Sequence, residues 1–321
     1  MQQIEKEVEF KLPYRLVPFM KFRMAAFVFS ILLTIACIFT IATKGFNWGL
    51  DFTGGTVIET QFSQPADLGK MRAILDENGY HSATVQTFGS QKDVIIRLPA
   101  SAGDTKLGNQ VMGLIHQKLD ADATIKSIEF VGPNVGEELT QGAIYATLAT
   151  LAMLLLYVGI RFEWRLAVGG ILALFHDVIV TLGVFSLLQI EVDLTFVAAI
   201  LSVVGYSLND SIVVFDRVRE NFPKIRRRTA VEVINISLSQ TLSRTLMTSV
   251  TTLFVVLALY WLGGPTLHSF SLALLIGIGF GTYSSIYIAI GVALQLGLKR
   301  EHMTPPVVEK EGAEQESLVD Y

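Results

Sequence analysis

Six stretches of this chain are apolar over the length needed to cross a hydrocarbon layer: residues 24–43, 143–160, 166–188, 194–215, 245–262 and 268–297. An α-helix rises 1.5 Å per residue, so about 20 apolar residues cover a core about 30 Å thick. In lipid every backbone N–H and C=O must find its partner inside the structure, which makes each isolated run a helix. The expected fold is a polytopic α-helical membrane protein with six transmembrane helices. Composition agrees, because a chain of 321 residues that is 51% hydrophobic and 17% charged is too apolar for one soluble domain. All nine prolines lie outside the runs, so no proline kink is expected. The lone Cys37 lies inside the first run and has no mate, so no internal disulfide, no thiol metal cluster and no metal site are expected.

Between the first and second runs the composition turns soluble. Residues 57–62 alternate as a strand, and residues 65–78 place Leu68, Met71 and Leu75 on one helical face. Residues 83–88 and 94–98 read as strands, residues 107–119 as a helix with Leu107, Val111, Leu114 and Ile115 on its stripe, and residues 125–131 as a closing strand. The order β-α-β-β-α-β predicts a small ferredoxin-like α+β domain over residues 44–141. Any small α+β domain could share that order.

Basic residues decide the expected orientation. Arg161 and Arg165 follow the second run, Arg217, Arg219, Lys224 and Arg226 to Arg228 the fourth, and Lys299 and Arg300 the sixth, whereas residues 189–193 and 263–269 carry no Lys or Arg. By the positive-inside rule both termini are cytoplasmic and the α+β domain is periplasmic. This makes residues 1–23 a cytoplasmic N-terminus, residues 216–244 a cytoplasmic connection and residues 298–321 a cytoplasmic, disordered tail. The first run is expected to stay uncleaved. The basic run 224–228 reads as a topogenic or lipid-facing loop, with contact to a cytoplasmic partner as the other reading. In the last run Ala273, Gly277, Gly281, Ser285, Ala289, Ala293 and Gly297 recur every four residues, a ridge small enough for another helix to approach closely.

The fourth run carries an ionisable group where hydrocarbon makes one costly. Asp210 lies about 24 Å along a helix that starts near Leu194, and Arg244 opens the next run at a similar depth. A change in their spacing would let Asp210 hold or release a proton; a static pair or a water-exposed helix end would explain the same residues. Tyr206 shares the Asp210 face, Asn209 is turned by about 100°, and Tyr206, Ser207 and Asn209 could hold waters or make interhelical hydrogen bonds. His176 and Asp177 form a second polar pair in the third run, a proton relay or a helix tie. No phosphate-binding loop, metal-ligand spacing or Ser/His/Asp arrangement is visible, so no enzyme, no nucleotide cofactor and no nucleic-acid partner is expected.

The strings FNWGLDFTGGT (46–56), RFEWRLA (161–167), GYSLNDSIVVFDRVREN (205–221), SRTLMTSVTTL (243–253) and FGTYSSIYIA (280–289) resemble, in order and spacing, the SecF branch of the SecD/SecF protein-export family. The resemblance covers nearly the whole chain. It implies a half bundle like that of the resistance-nodulation-division exporters, completed by SecD beside the SecYEG channel in a bacterial inner membrane. The proton gradient, in place of a cofactor, would help draw unfolded preprotein out in late export. The family's transmembrane Asp and Arg fall on Asp210 and Arg244; Asn209 stands where drug exporters often carry a second carboxylate, so a two-carboxylate mechanism is not supported. The motif at Asp51, Gly54 and Gly55 sits at the junction of first run and domain, where glycines suit a tight connection. The rival functions are a structural stabiliser of the channel and half of a proton-coupled small-molecule exporter.

Overall fold

The computed structural model describes residues 16–99, 106–225 and 228–303. Most of the tail, the first 15 residues and Arg226 and Arg227 of the basic run lie outside them. A helix α1 (Arg23–Lys44) leads through a short strand β1 (Asn47–Trp48) and one turn of helix α2 (Leu50–Thr53) into an α+β domain. The domain runs β2 (Gly55–Gln61), α3 (Leu68–Glu77), β3 (Thr84–Phe88), β4 (Ser90–Leu98), α4 (Leu107–Lys118) and β5 (Thr124–Val131). Its sheet has the order β3-β4-β2-β5 with every neighbour antiparallel, which is the ferredoxin-like arrangement. Ile58, Val94 and Ile96 on the sheet meet Met71 and Leu75 of α3 and Val111, Met112 and Ile115 of α4 in one core. The inner face of α4 is thus Gly108, Val111, Met112 and Ile115, with Leu114 half-buried, because Gly108 lets the helix sit against Ile128.

Six helices are long and apolar enough to cross a membrane. After α1 come α5 (Pro133–Arg161), α6 (Trp164–Leu188), α7 (Leu194–Lys224), α8 (Ala230–Leu262) and a last helix made of α9 (Gly264–Ser284), a π turn (Ser285–Ala289) and α10 (Ile290–Gln295). A strand β6 (Glu191–Val192) lies between α6 and α7 and pairs in parallel with β1. Within the most apolar window, 50% of α6, 44% of α7 and 56% of the last helix is buried, against 11%, 6% and 17% of α1, α5 and α8. The first three therefore form the inner layer, and the others leave broad apolar faces open.

Two boundaries differ from the expected ones. Residues 133–141, expected in the α+β domain, are the first turns of α5, which starts with Pro133 at a position where no N–H is needed. The expected connection 216–244 is mostly helix: α7 runs on to Lys224 and α8 starts at Ala230, both extending past their apolar cores. Thr229 and Glu232 close a capping box at the start of α8. At the other end of the chain, residues 17–20 pack onto α8: the Val17 amide donates to Ser239 Oγ at 3.1 Å, the Met20 amide donates to Asn235 Oδ1 at 3.0 Å, and Phe19 and Met20 are buried.

The small-residue ridge is buried from Ala273 to Ala293, and Gly297, at a φ of 78°, turns the chain out of the helix. A residue added at every fourth position drifts around an α-helix by about 40° per step, and the wider π turn at Ser285–Ala289 takes up that drift. The irregularity needs no proline.

Candidate functional site

Asp210 sits on the buried face of α7 and is 3% exposed. Among the described residues its Oδ2 is buried without a hydrogen-bond partner, although most buried polar atoms in folded proteins have one. Arg244, on α8, acts on it electrostatically but forms no ion pair within 4.0 Å. Its side chain is exposed on the open face of α8. Asn209, the next residue, is exposed on the open face of α7, so the two adjacent polar residues look in different directions. Arg217, on the Asp210 side of α7, is occupied by Glu220 at 3.0 Å.

One turn earlier the helix is held by hydroxyls. The Tyr206 hydroxyl donates to Ser249 Oγ at 3.4 Å, and Ser249 bonds Thr282 Oγ1 at 2.8 Å, which links α7, α8 and α9. Ser207 Oγ donates to Asp177 Oδ2 at 2.6 Å, and Ser284 Oγ donates to the same oxygen at 2.6 Å. Asp177 Oδ1 faces His176 Nδ1 at 3.0 Å. Gly281 makes this knot possible: a Cβ there would stand 3.2 Å from Ser207 Cβ and 3.6 Å from Asp177 Oδ2. Five of the sequence-derived residues, His176, Asp177, Tyr206, Ser207 and Asp210, thus gather on adjacent turns of α6 and α7, whereas Asn209 and Arg244 are exposed on the open faces of α7 and α8. Ser284 and Thr282 add to the residues expected from the sequence and belong to the polar cluster Thr282 to Ser285 inside an apolar run, whereas Ser249 of α8 lies outside that cluster.

Asp51, Gly54 and Gly55 lie apart from this cluster, at the junction of domain and bundle. Asp51 Oδ2 accepts from the Leu194 amide at 2.9 Å, and Asp193 Oδ1 accepts from the Phe196 amide at 2.7 Å. Both carboxylates therefore cap the N-terminus of α7, where the free N–H groups and the helix dipole favour negative charge. Gly54 has φ 64° and Gly55 φ 128°, values that L side chains adopt only with strain. Replacing Gly54 with alanine is expected to destabilise the protein by about 1–2 kcal/mol, measured as a lowered melting temperature. Cavities of about 480 and 400 Å³ flank this junction, the first lined chiefly by Trp48, Phe52, Ile144 and Leu148, the second by Asp51, Arg97, Glu191 and Asp193 among others.

Arg97 of β4 is ion-paired with Glu191 and ties the domain to the turn before α7. Burial pushes the Glu191 carboxyl up, opposed by Arg97, and burial likewise pushes up Asp193, opposed by its bond from the Phe196 amide. A carboxyl raised in the folded state adds stability that is fully present below its ordinary value and is lost as pH rises through the raised one. The melting temperature should therefore fall as pH climbs out of the ordinary carboxyl range, and Glu191→Gln should flatten that slope; an unchanged slope in Glu191→Gln counts against Glu191 as a source.

The chain is similar to known proteins over most of its length. The family model described as "Protein export membrane protein SecD/SecF, C-terminal" matches residues 111–299, and one described as "SecD/SecF GG Motif" matches residues 39–66, which contain Gly54 and Gly55. The chain is 66% identical over 301 residues to a protein of Haemophilus influenzae named protein translocase subunit SecF, covering 94% of this chain and 92% of that one. A protein of the same name from Escherichia coli O157:H7 is 55% identical over 304 residues, with 94% of each chain covered. Among solved structures, SecDF of Thermus thermophilus, described as a translocon-associated membrane protein, matches with a TM-score of 0.80 and 38% identity. SecDF in a super-membrane-facing form matches with a TM-score of 0.62 and 37% identity. The match covers 88% of this chain but 39% of the Thermus chain, so the matched part corresponds to about two fifths of that longer molecule.

Proposed function

The chain belongs to the SecD/SecF family of protein-export membrane proteins, and from that premise we propose that it is a SecF-type accessory subunit of a Sec translocase, driven by the proton gradient. The observation that carries this reading is the buried Asp210 carboxylate, whose Oδ2 has no hydrogen-bond partner among the described residues and which feels Arg244 across a gap. One charge moved across 100 mV is worth about 2.3 kcal/mol, enough to bias two arrangements of packed helices. The open faces of α7 and α8, which carry Asn209 and Arg244, are where a SecD partner completes the bundle. An arginine directed at lipid would be costly, whereas one directed at a partner helix is not. The basic connections support a reading with both termini in the cytoplasm of a bacterial inner membrane and the α+β domain on the periplasmic side, next to SecYEG and the emerging preprotein. Protonation of Asp210 then changes the packing of α7 against α8, and the caps at Asp51 carry the change to the domain in the late steps of export.

The test is preprotein translocation in proteoliposomes that hold this chain with its SecD partner and the SecYEG channel, with and without an imposed proton gradient. Gradient-dependent stimulation that requires this chain is the expected result. Equal translocation after a protonophore collapses the gradient would overturn the reading.

A further inference from the structure

We propose that His176 is a second proton-binding site of the bundle, coupled through Asp177 to the helix that carries Asp210. His176 is 6% exposed and its Nε2 is buried without a hydrogen-bond partner among the described residues. Its Nδ1 lies 3.0 Å from Asp177 Oδ1, while Asp177 Oδ2 accepts from Ser207 and Ser284. Two serine hydroxyls and one ring nitrogen directed at the same side chain suit a carboxylate anion, which is acceptor-only. With Nδ1–H donating to Asp177, the neutral ring presents a bare lone pair at Nε2.

The surroundings leave that lone pair one use. The rings packed against His176 are Phe280, at 6.3 Å between centroids, and Tyr283, at 6.4 Å. The Tyr283 hydroxyl is engaged elsewhere, with Ser30 Oγ at 3.0 Å and the Ala26 carbonyl at 2.9 Å on α1. Among the described residues Asp177 is the one ionisable group paired with His176. Its negative charge is shared with hydroxyls but not neutralised, and a buried charge without a countercharge is costly. Binding one proton at Nε2 breaks no bond, leaves the Nδ1–H contact in place and turns the anion into a neutral imidazolium–carboxylate pair.

The coupling is geometric. Ser207 stands one turn before Asp210 on α7, and Ser284 is the residue from which the π turn opens. The charge on Asp177 thus sets how firmly α7 and the last helix are held beside the Asp210 site, and π turns of this kind are frequent at functional sites.

The role in transport rests on the proton-driven reading above, whereas the measurement reads the imidazole directly. The chain is labelled with ¹⁵N-histidine, His81, His116, His268 and His302 are replaced by Asn, and the complex with its SecD partner is followed by solid-state NMR in lipid. Over a scan from about pH 5 to 8 the expected result is one imidazole seen both in the Nδ1–H neutral form and as imidazolium, in proportions that change in Asp177→Asn. If the fourfold variant does not assemble, the difference between the intact protein and His176→Gln isolates the same signal. A spectrum that stays in one form across that range overturns the proposal and leaves the Asp210 reading untouched. A titrating His176 in a complex whose export ignores the gradient keeps the proton site and removes its assigned purpose.

Discussion

Asp210→Asn is expected to remove the whole gradient-dependent part of preprotein export, down to the level of membranes that lack this subunit, at unchanged subunit abundance. Asparagine keeps the shape of the side chain and cannot lose a proton. Among the described residues Oδ2 has no hydrogen-bond partner, so the substitution breaks none there, and folding should survive. Arg244→Met should give the same loss, because the cation that acts on the carboxylate is gone. Arg244→Lys should retain part of the effect: it keeps a charge but places it as a compact ammonium on a different stem. Gradient stimulation persisting in Asp210→Asn at more than half the native level would leave the carboxylate with a structural role only.

The largest stability effect is expected at Gly169 of α6. A Cβ there would stand 2.1 Å from the carbonyl oxygen of Ala289, the last residue of the π turn. The obstacle is backbone, so no side chain can swing aside, and Gly169→Ala must push α6 away from the last helix. Overpacking of this kind costs about 3 kcal/mol or more where the neighbour cannot yield. A fall of about 5 °C or more in the temperature at which the detergent-solubilised protein loses its sharp gel-filtration peak is the expected reading. Gly279→Ala in the last helix is the control, since a Cβ at Gly279 meets nothing within 4 Å. If the two variants melt together, the close approach of α6 to the π turn does not contribute to stability.

The membrane helices and the order of the α+β domain were legible because both follow from periodicity, which is a property of neighbouring residues. Asp210 was legible because a charge in an apolar run is conspicuous without any knowledge of its partners. Contacts between distant segments were not. The bond from the Leu194 amide to Asp51 joins residues 143 apart, and nothing in either string marks the other. The early start of α8 is marked by Thr229 and Glu232, whose spacing is a helix-start signal, but the continuous apolar run begins only near Thr245. In the last helix the four-residue spacing located the packed row correctly, yet the hydroxyl that reaches Asp177 belongs to Ser284, one position off that row. A π turn changes which residues face inward, and sequence spacing alone assumes a regular helix.

The double cap on α7 has a mechanical consequence. A rod whose first amide, at Leu194, is held by Asp51 cannot slide along its axis without dragging the strand pair β1–β6 and the start of the domain with it. Swinging about the pinned end is the freedom that remains, and Asp210 rides about 24 Å out on that arm. A swing of 5° there sweeps about 2 Å at the carboxylate, comparable to the helix shifts by which packed proteins change state. α7 is a crank with its bearing at the domain and its handle at the Asp210 carboxylate.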